Sequence, residues 1–208
     1  MTPIDTSTAL TGGVALLERA TSYTLGSLSR IASAAMANPT PCSTWDLRTL
    51  LLHMNDSLLT LYEAVADHHV GPGPVDDVGG PAAELVASLR SRACRMLGAW
   101  TNADAAAVVS IVGCPLTTDI VAAAGAVEVA VHGWDVAAAC GHPRRIPAEL
   151  AAEMLDLLPL LVTDADRPAR FAAPVDVPWH TAPGDRLVAS LGRRPRAVAL
   201  DAPVQGLL

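Results

Sequence analysis

The stretch "TDIVAAAGAVEVAVHGWDVAAAC", residues 118–140, limits most what this chain can fold into. It reads as a long helix: Asp119 stands near its start and Gly141 just beyond its end, where a left-handed residue closes a helix. Ala124, Val127, Val131 and Ala138 form its apolar centre line at 100 degrees per residue. Hydrophobic residues make up 51% of the chain but aromatics only 3%, so the core is built from Leu, Val and Ala rather than large rings. That composition calls for closely packed helices.

The spacing predicts further helices on either side. Leu16, Leu17, Ala20, Tyr23, Leu28 and Ile31 give a helix over 14–37, ended by Pro39 and Pro41. "STWD" opens a second helix, with Ser43 as cap and Asp46 at the third helical position. Leu47, Leu50, Leu51, Met54, Leu58, Leu61 and Val65 then form its stripe. A loop rich in Gly, Pro and Asp, 68–81, leads to a third helix over 82–100, with Leu85, Leu89, Cys94 or Met96, and Leu97 inward. The stretch "AAVVSIVGCPL" has strand-like residues but no clean alternation, and no sheet is assigned to it. Pro147 opens a fifth helix through 161. The tail, about 165–208, reads as an extended segment packed over the body and a short helix over 183–191. The expected fold is all-α: one domain over 1–208, a four-helix bundle with additional short C-terminal helices.

Charge excludes one class of partner. The net charge is -7, and all 14 basic residues are arginine, with no basic block. Phosphate-backbone binding needs many clustered cations, so nucleic acid is set aside. "MTPIDTSTALTGG" has no cation before an apolar stretch and is not read as a secretory signal. The longest apolar run, from Ile120, stops at Glu128, short of the roughly 20 residues a spanning helix needs. A soluble, cytoplasmic protein without a membrane partner is expected. Cys42, Cys94, Cys114 and Cys140 form no CxxC pair and are expected to be reduced. The leucine-rich faces leave apolar surface that allows a homodimer.

Within 118–140, Glu128, His132 and Asp135 fall on one flank of the apolar line. Glu128 and His132, four residues apart, project side by side. A carboxylate there is costly to bury unless paired, hydrogen-bonded or metal-bound. On the second helix His53 lies about 120 degrees from the leucine stripe, again on a flank. If the two flanks face each other, two imidazoles and a carboxylate converge, a set suited to zinc with a fourth position open. Other first-row metals suit the same set. The spacing also fits an ordinary exposed ion pair, or polar contacts that stabilise the bundle without a metal.

"PTPCSTWDLRTLLLHM" and "EVAVHGWDVAAACG" together resemble the metal-binding domain of mycothiol-dependent maleylpyruvate isomerase and related actinobacterial proteins of the DinB-like superfamily. Pro41, Cys42, Trp45, Asp46, His53, Glu128, His132, Trp134 and Asp135 occupy the positions of the family pattern. "DRLVASLGRRP" is similar to the ending of the single-domain members. The resemblance implies a DinB-like bundle in which His53, Glu128 and His132 hold the metal, and mycothiol as thiol cosubstrate. Two-domain isomerases of the family carry a further C-terminal domain that takes part in their activity. The 208 residues here do not include it, so the isomerase reaction itself is not carried over.

A metal that favours the thiolate form of a bound thiol would let it attack a small electrophile, in transfer or isomerisation. Asp135 is the candidate catalytic residue beyond the ligands, orienting a ligand imidazole or accepting a proton; a solvated or capping acid is the other reading. Trp45 and Trp134 read as packing residues beside the seam, and Cys42 as a structural thiol. His180 reaches the site only if the tail crosses the bundle opening. His142 reads as a helix-end residue, and His68 and His69 as solvent-exposed. The alternative function is a non-catalytic metal- or small-molecule-binding protein, a sensor or biosynthetic accessory.

Overall fold

A computed structural model describes residues 12–29, 31–32, 35–42, 44–71, 80–167 and 170–195. The described chain is mostly helical. Its elements are α1 (Gly13–Leu28), α2 (Leu47–Ala66), β1 (His69–Val70), α3 (Ala82–Trp100), β2 (Val108–Ile111), β3 (Cys114–Thr117), α4 (Thr118–Ala139), α5 (Ala148–Leu161), a 3-10 turn (Asp164–Asp166) and α6 (Pro183–Ser190). The N-terminal residues 1–11, the Ser43 cap and most of the Gly/Pro loop lie outside the described residues.

The helix of small residues is the axis of the fold. α4 is buried on nearly every side, with Val121, Ala122, Ala126, Ala130, Val131, Trp134 and Val136 all in the core. Ala124, placed by periodicity on the inward line, is exposed, and Ala138 is only half-buried. A helix covered all round has no single inward line. By length and composition α4 is apolar enough to cross a bilayer despite Glu128, but 83% of that window is buried against its own protein.

Two glycines set how closely its neighbours approach. A Cβ at Gly133 would fall 2.4 Å from Thr24 Oγ1 on α1, and one at Gly125 would fall 2.6 Å from Leu61 Cδ2 on α2. Thr24 uses that proximity, donating its hydroxyl proton to the Val129 carbonyl at 2.7 Å. The principal helix contacts run α1 to α4, α4 to α2, α2 to α3 and α3 back to α1. α6 packs chiefly against α5.

The first helix stops at Leu28, well short of residue 37. Ser29 Oγ donates to the Gly26 carbonyl at 2.8 Å, a local bond that competes with continued helix. α2 starts at Leu47 with Asp46 itself as cap: its carboxylate accepts from Thr49 N at 2.8 Å. Asp46 is therefore not the third helical residue. On α3, Met96 is buried and Cys94 exposed, while Leu97 is half-buried. Gly141, at φ +74, closes α4 as expected.

The unassigned apolar stretch forms a sheet. β2 and β3 pair antiparallel, Val109 opposite Leu116, and β1 adds in parallel to β2. His69 is thus a strand residue, although exposed. The hairpin turns through Val112 (φ 50) and Gly113 (φ 82). Two positive φ values in succession suit Asn-Gly; a β-branched residue at the first position hides the turn from a sequence reader. The fold is therefore mostly helical, as expected, with one addition the sequence reading did not assign: a small sheet that lies against α2 and α4.

Candidate metal centre

Three side chains from α2 and α4 meet across their seam. His53 Nε2 lies 2.6 Å from Glu128 Oε1, and His132 Nε2 lies 3.2 Å from the same oxygen. One ligand atom from each residue falls within 4.8 Å of the other two. The two rings stand edge to face, 5.1 Å apart. Ser57, one turn beyond His53, donates to Glu128 Oε1 at 3.2 Å.

Trp45 walls this cluster. The loop before α2 closes through a bridge between Pro39 and Asp46, and Thr40 N and Oγ1 both donate to the Trp45 carbonyl. That brace sets the indole 4.7 Å from the His53 ring and 6.2 Å from the His132 ring. Trp134 is buried in the core, the packing role its sequence context predicted.

Support differs between the two histidines. His53 keeps 36% of its side chain accessible, His132 only 7%. Behind His132, Nδ1 meets Asp135 Oδ2 at 3.0 Å. An ionised carboxylate accepts only, so Nδ1 carries a proton toward Asp135, and Nε2, facing the Glu128 carboxylate, carries one as well when no cation is bound; that second proton is the one a metal ion would replace. Asp135 has no accessible side-chain surface, so it is neither solvated nor a helix-end cap. Its carboxylate also accepts from Arg193, Nη2 to Oδ2 at 3.0 Å.

The electrostatics are those of tightly coupled opposite charges. Burial pushes Glu128 upward, but His132 and then His53 outweigh it and hold the carboxyl well below its ordinary range. Burial lowers His132, yet Glu128 and Asp135 raise it from 6.5 to about 9. Without a cation, a proton on His132 holds the cluster together. A divalent ion could take the same place: two imidazoles and a carboxylate, one ring fixed from behind, and, among the described residues, no fourth ligand side chain.

A cavity of about 20 Å³ lies beside the cluster, with Glu128 and His132 in its wall. The rest is mainly apolar, from Leu25, Leu28, Met54, Leu58, Leu89 and Val129 of all four helices α1 to α4. Such a space holds a water or a small group.

Other candidates stand apart. His180 is exposed, its ring edge-on to Trp179, which is itself 88% exposed. His142 is exposed after α4. Cys42 is half-buried; burial raises its thiol and the nearby Arg193 charge lowers it in part. Sequence reasoning missed Ser57 and Arg193. Ser57 had a signal, a small hydroxyl four residues after His53; Arg193 had none, because its partner lies 58 positions away.

The seam thus belongs to a helical protein with a two-histidine, one-carboxylate cluster. A sequence model of the mycothiol maleylpyruvate isomerase N-terminal domain matches residues 17–137, more than half of the chain, and the chain belongs to that family. His53, Glu128, His132 and Asp135 fall within the match; Arg193 falls outside it. No curated protein and no solved structure matches the chain.

Proposed function

We propose that His53, Glu128 and His132 hold a divalent metal, zinc suiting the donors best, in a DinB-like four-helix bundle that uses mycothiol to transfer to, or isomerise, a small electrophile. The observation that carries this reading is the convergence of both Nε2 atoms on one Glu128 oxygen, beside the Trp45 indole. Such an ion supplies stabilisation of a bound thiolate at neutral pH.

The chain's own groups do the rest. Asp135 keeps the proton on His132 Nδ1, so that Nε2 is left to hold the ion; its role is positioning, because its buried carboxylate is taken up by His132 Nδ1 and Arg193. Ser57 holds the Glu128 carboxylate from below. The mainly apolar cavity has room for a small nonpolar group of the electrophile, which would take the place of a water beside Glu128 and His132. In transfer, the thiol sulfur bonds to the electrophilic carbon, its proton leaves to water, and the leaving group departs with the bonding pair. This chemistry belongs in the cytoplasm, where small thiols are kept reduced.

The test is a thiol-dependent assay on zinc-loaded protein against a panel of small electrophiles. Saturable, metal-dependent consumption of mycothiol with the electrophile is expected. If the protein holds one metal yet neither binds mycothiol nor consumes any electrophile with it, the non-catalytic binding protein is the correct reading.

A further inference from the structure

The segment after α6 reaches the metal cluster from outside the family-matched span. α6 ends at Ser190, and Gly192, at φ +80, reverses the chain so that Arg193 N donates back to the Val188 carbonyl at 2.9 Å. A Cβ at Gly192 would fall 2.6 Å from the Ala172 Cβ, so the reversal is pressed against the extended segment. The turn sends the Arg193 side chain inward until it is only 8% exposed.

There it has few partners, each of them specific. Nη2 donates to Asp135 Oδ2 at 3.0 Å, Nε to Asp135 Oδ1 at 3.4 Å, and Nη1 to the Leu191 carbonyl at 3.1 Å. The fork thus takes both oxygens of a fully buried carboxylate. The oxygen held by Nη2 also accepts from His132 Nδ1 at 3.0 Å. An unbroken chain of contacts therefore runs from Arg193 through Asp135 to His132, and from His132 Nε2 to Glu128.

We infer that Arg193 is a positioning residue for the metal site, so that the segment following α6 takes part in holding the ion. The inference rests on the metal reading proposed above. A buried carboxylate needs a paired charge, and the two-pronged grip fixes the Asp135 rotamer as well. With both oxygens held, Asp135 keeps the His132 ring at one angle. Released from Arg193, the carboxylate can turn, and the ring loses the partner that aims Nε2.

The test compares variants of the full chain by zinc affinity in chelator competition and by the cobalt(II) absorption spectrum. Arg193→Met is expected to weaken zinc binding about tenfold or more, the scale of outer-shell partners, and to change the cobalt bands. If that variant does not fold, Arg193→Gln carries the test with the same readouts. Arg167→Met is the control: it removes a bond from Arg167 Nη2 to the Ser190 carbonyl, loosening the same segment without touching Asp135. It should leave zinc affinity unchanged. An unchanged affinity and spectrum in the Arg193 variant overturns the inference, as does an equal loss in Arg167→Met. Wild type that binds no zinc, or His132→Ala that binds it as tightly as wild type, instead overturns the underlying metal reading.

Discussion

The two sides of α4 do opposite things with the same backbone. Toward α1 it presents Gly133, and Thr24 closes in until no Cβ fits between them. Toward α2 it presents Gly125, against which Leu61 closes, and then Glu128 and His132, where the seam is wide enough for three polar side chains and an adjoining cavity. The comparison teaches how the site is held: tight packing on one side fixes the helix that carries two of the three candidate ligands. His132 and Gly133 are neighbours in sequence, so any shift of one contact moves the other.

The largest expected effect is on the polar side. His132→Ala removes the best-anchored donor and should take metal content from one ion per chain to none, measured by elemental analysis after dialysis. His53→Ala, at the more exposed donor, should leave weak residual binding. On the packing side, Gly133→Val is expected to lower stability by about 1–3 kcal/mol, the scale of overpacking, in urea denaturation. Unaltered stability would mean that the α1 contact is loose and does not brace the site.

How much of this was legible follows from the same division. Helices over 82–100 and 118–140 were readable because their periodicity and end signals agree, and Glu128, His132 and Asp135 were readable as one flank because helical geometry is local. His53 was readable only as a flank residue; that its flank faces Glu128 depends on how α2 packs. The inward line of α4 was misread at Ala124, because a helix of small residues buried all round gives periodicity little contrast. Val112 concealed the hairpin. Arg193 was illegible because nothing in "LGRRP" distinguishes an arginine that turns inward from one that faces water.

The pH profile sharpens the comparison further. His132, raised in the folded metal-free protein from 6.5 to about 9, contributes stability fully present below 6.5 and lost as pH rises through about 9. Glu128, held below its ordinary 4.5, contributes stability present above 4.5 and lost as pH falls through its folded value. For this pair the metal-free protein should be most stable between about 4.5 and 6.5, by thermal melting across pH. Zinc should reverse the alkaline limb, because the ion replaces the proton on His132. Parallel curves with and without zinc would contradict a shared place for proton and metal.

The smallest expected effect is at Ser57. Ser57→Ala removes one donor to Glu128 and should weaken zinc by about 0.5–1.5 kcal/mol, the net worth of one hydrogen bond, in chelator competition. A loss as large as that of His132→Ala would make Ser57 a principal support rather than a minor one.

X-ray absorption at the zinc edge tests the central claim most directly, on the full chain first alone and then with mycothiol. The expected first spectrum has imidazole scattering and only nitrogen or oxygen at about 2.0–2.2 Å, and the second gains one sulfur at about 2.3 Å. A sulfur shell before the thiol is added, or none after it, would contradict a metal held by His53, Glu128 and His132 with one position open to the thiol.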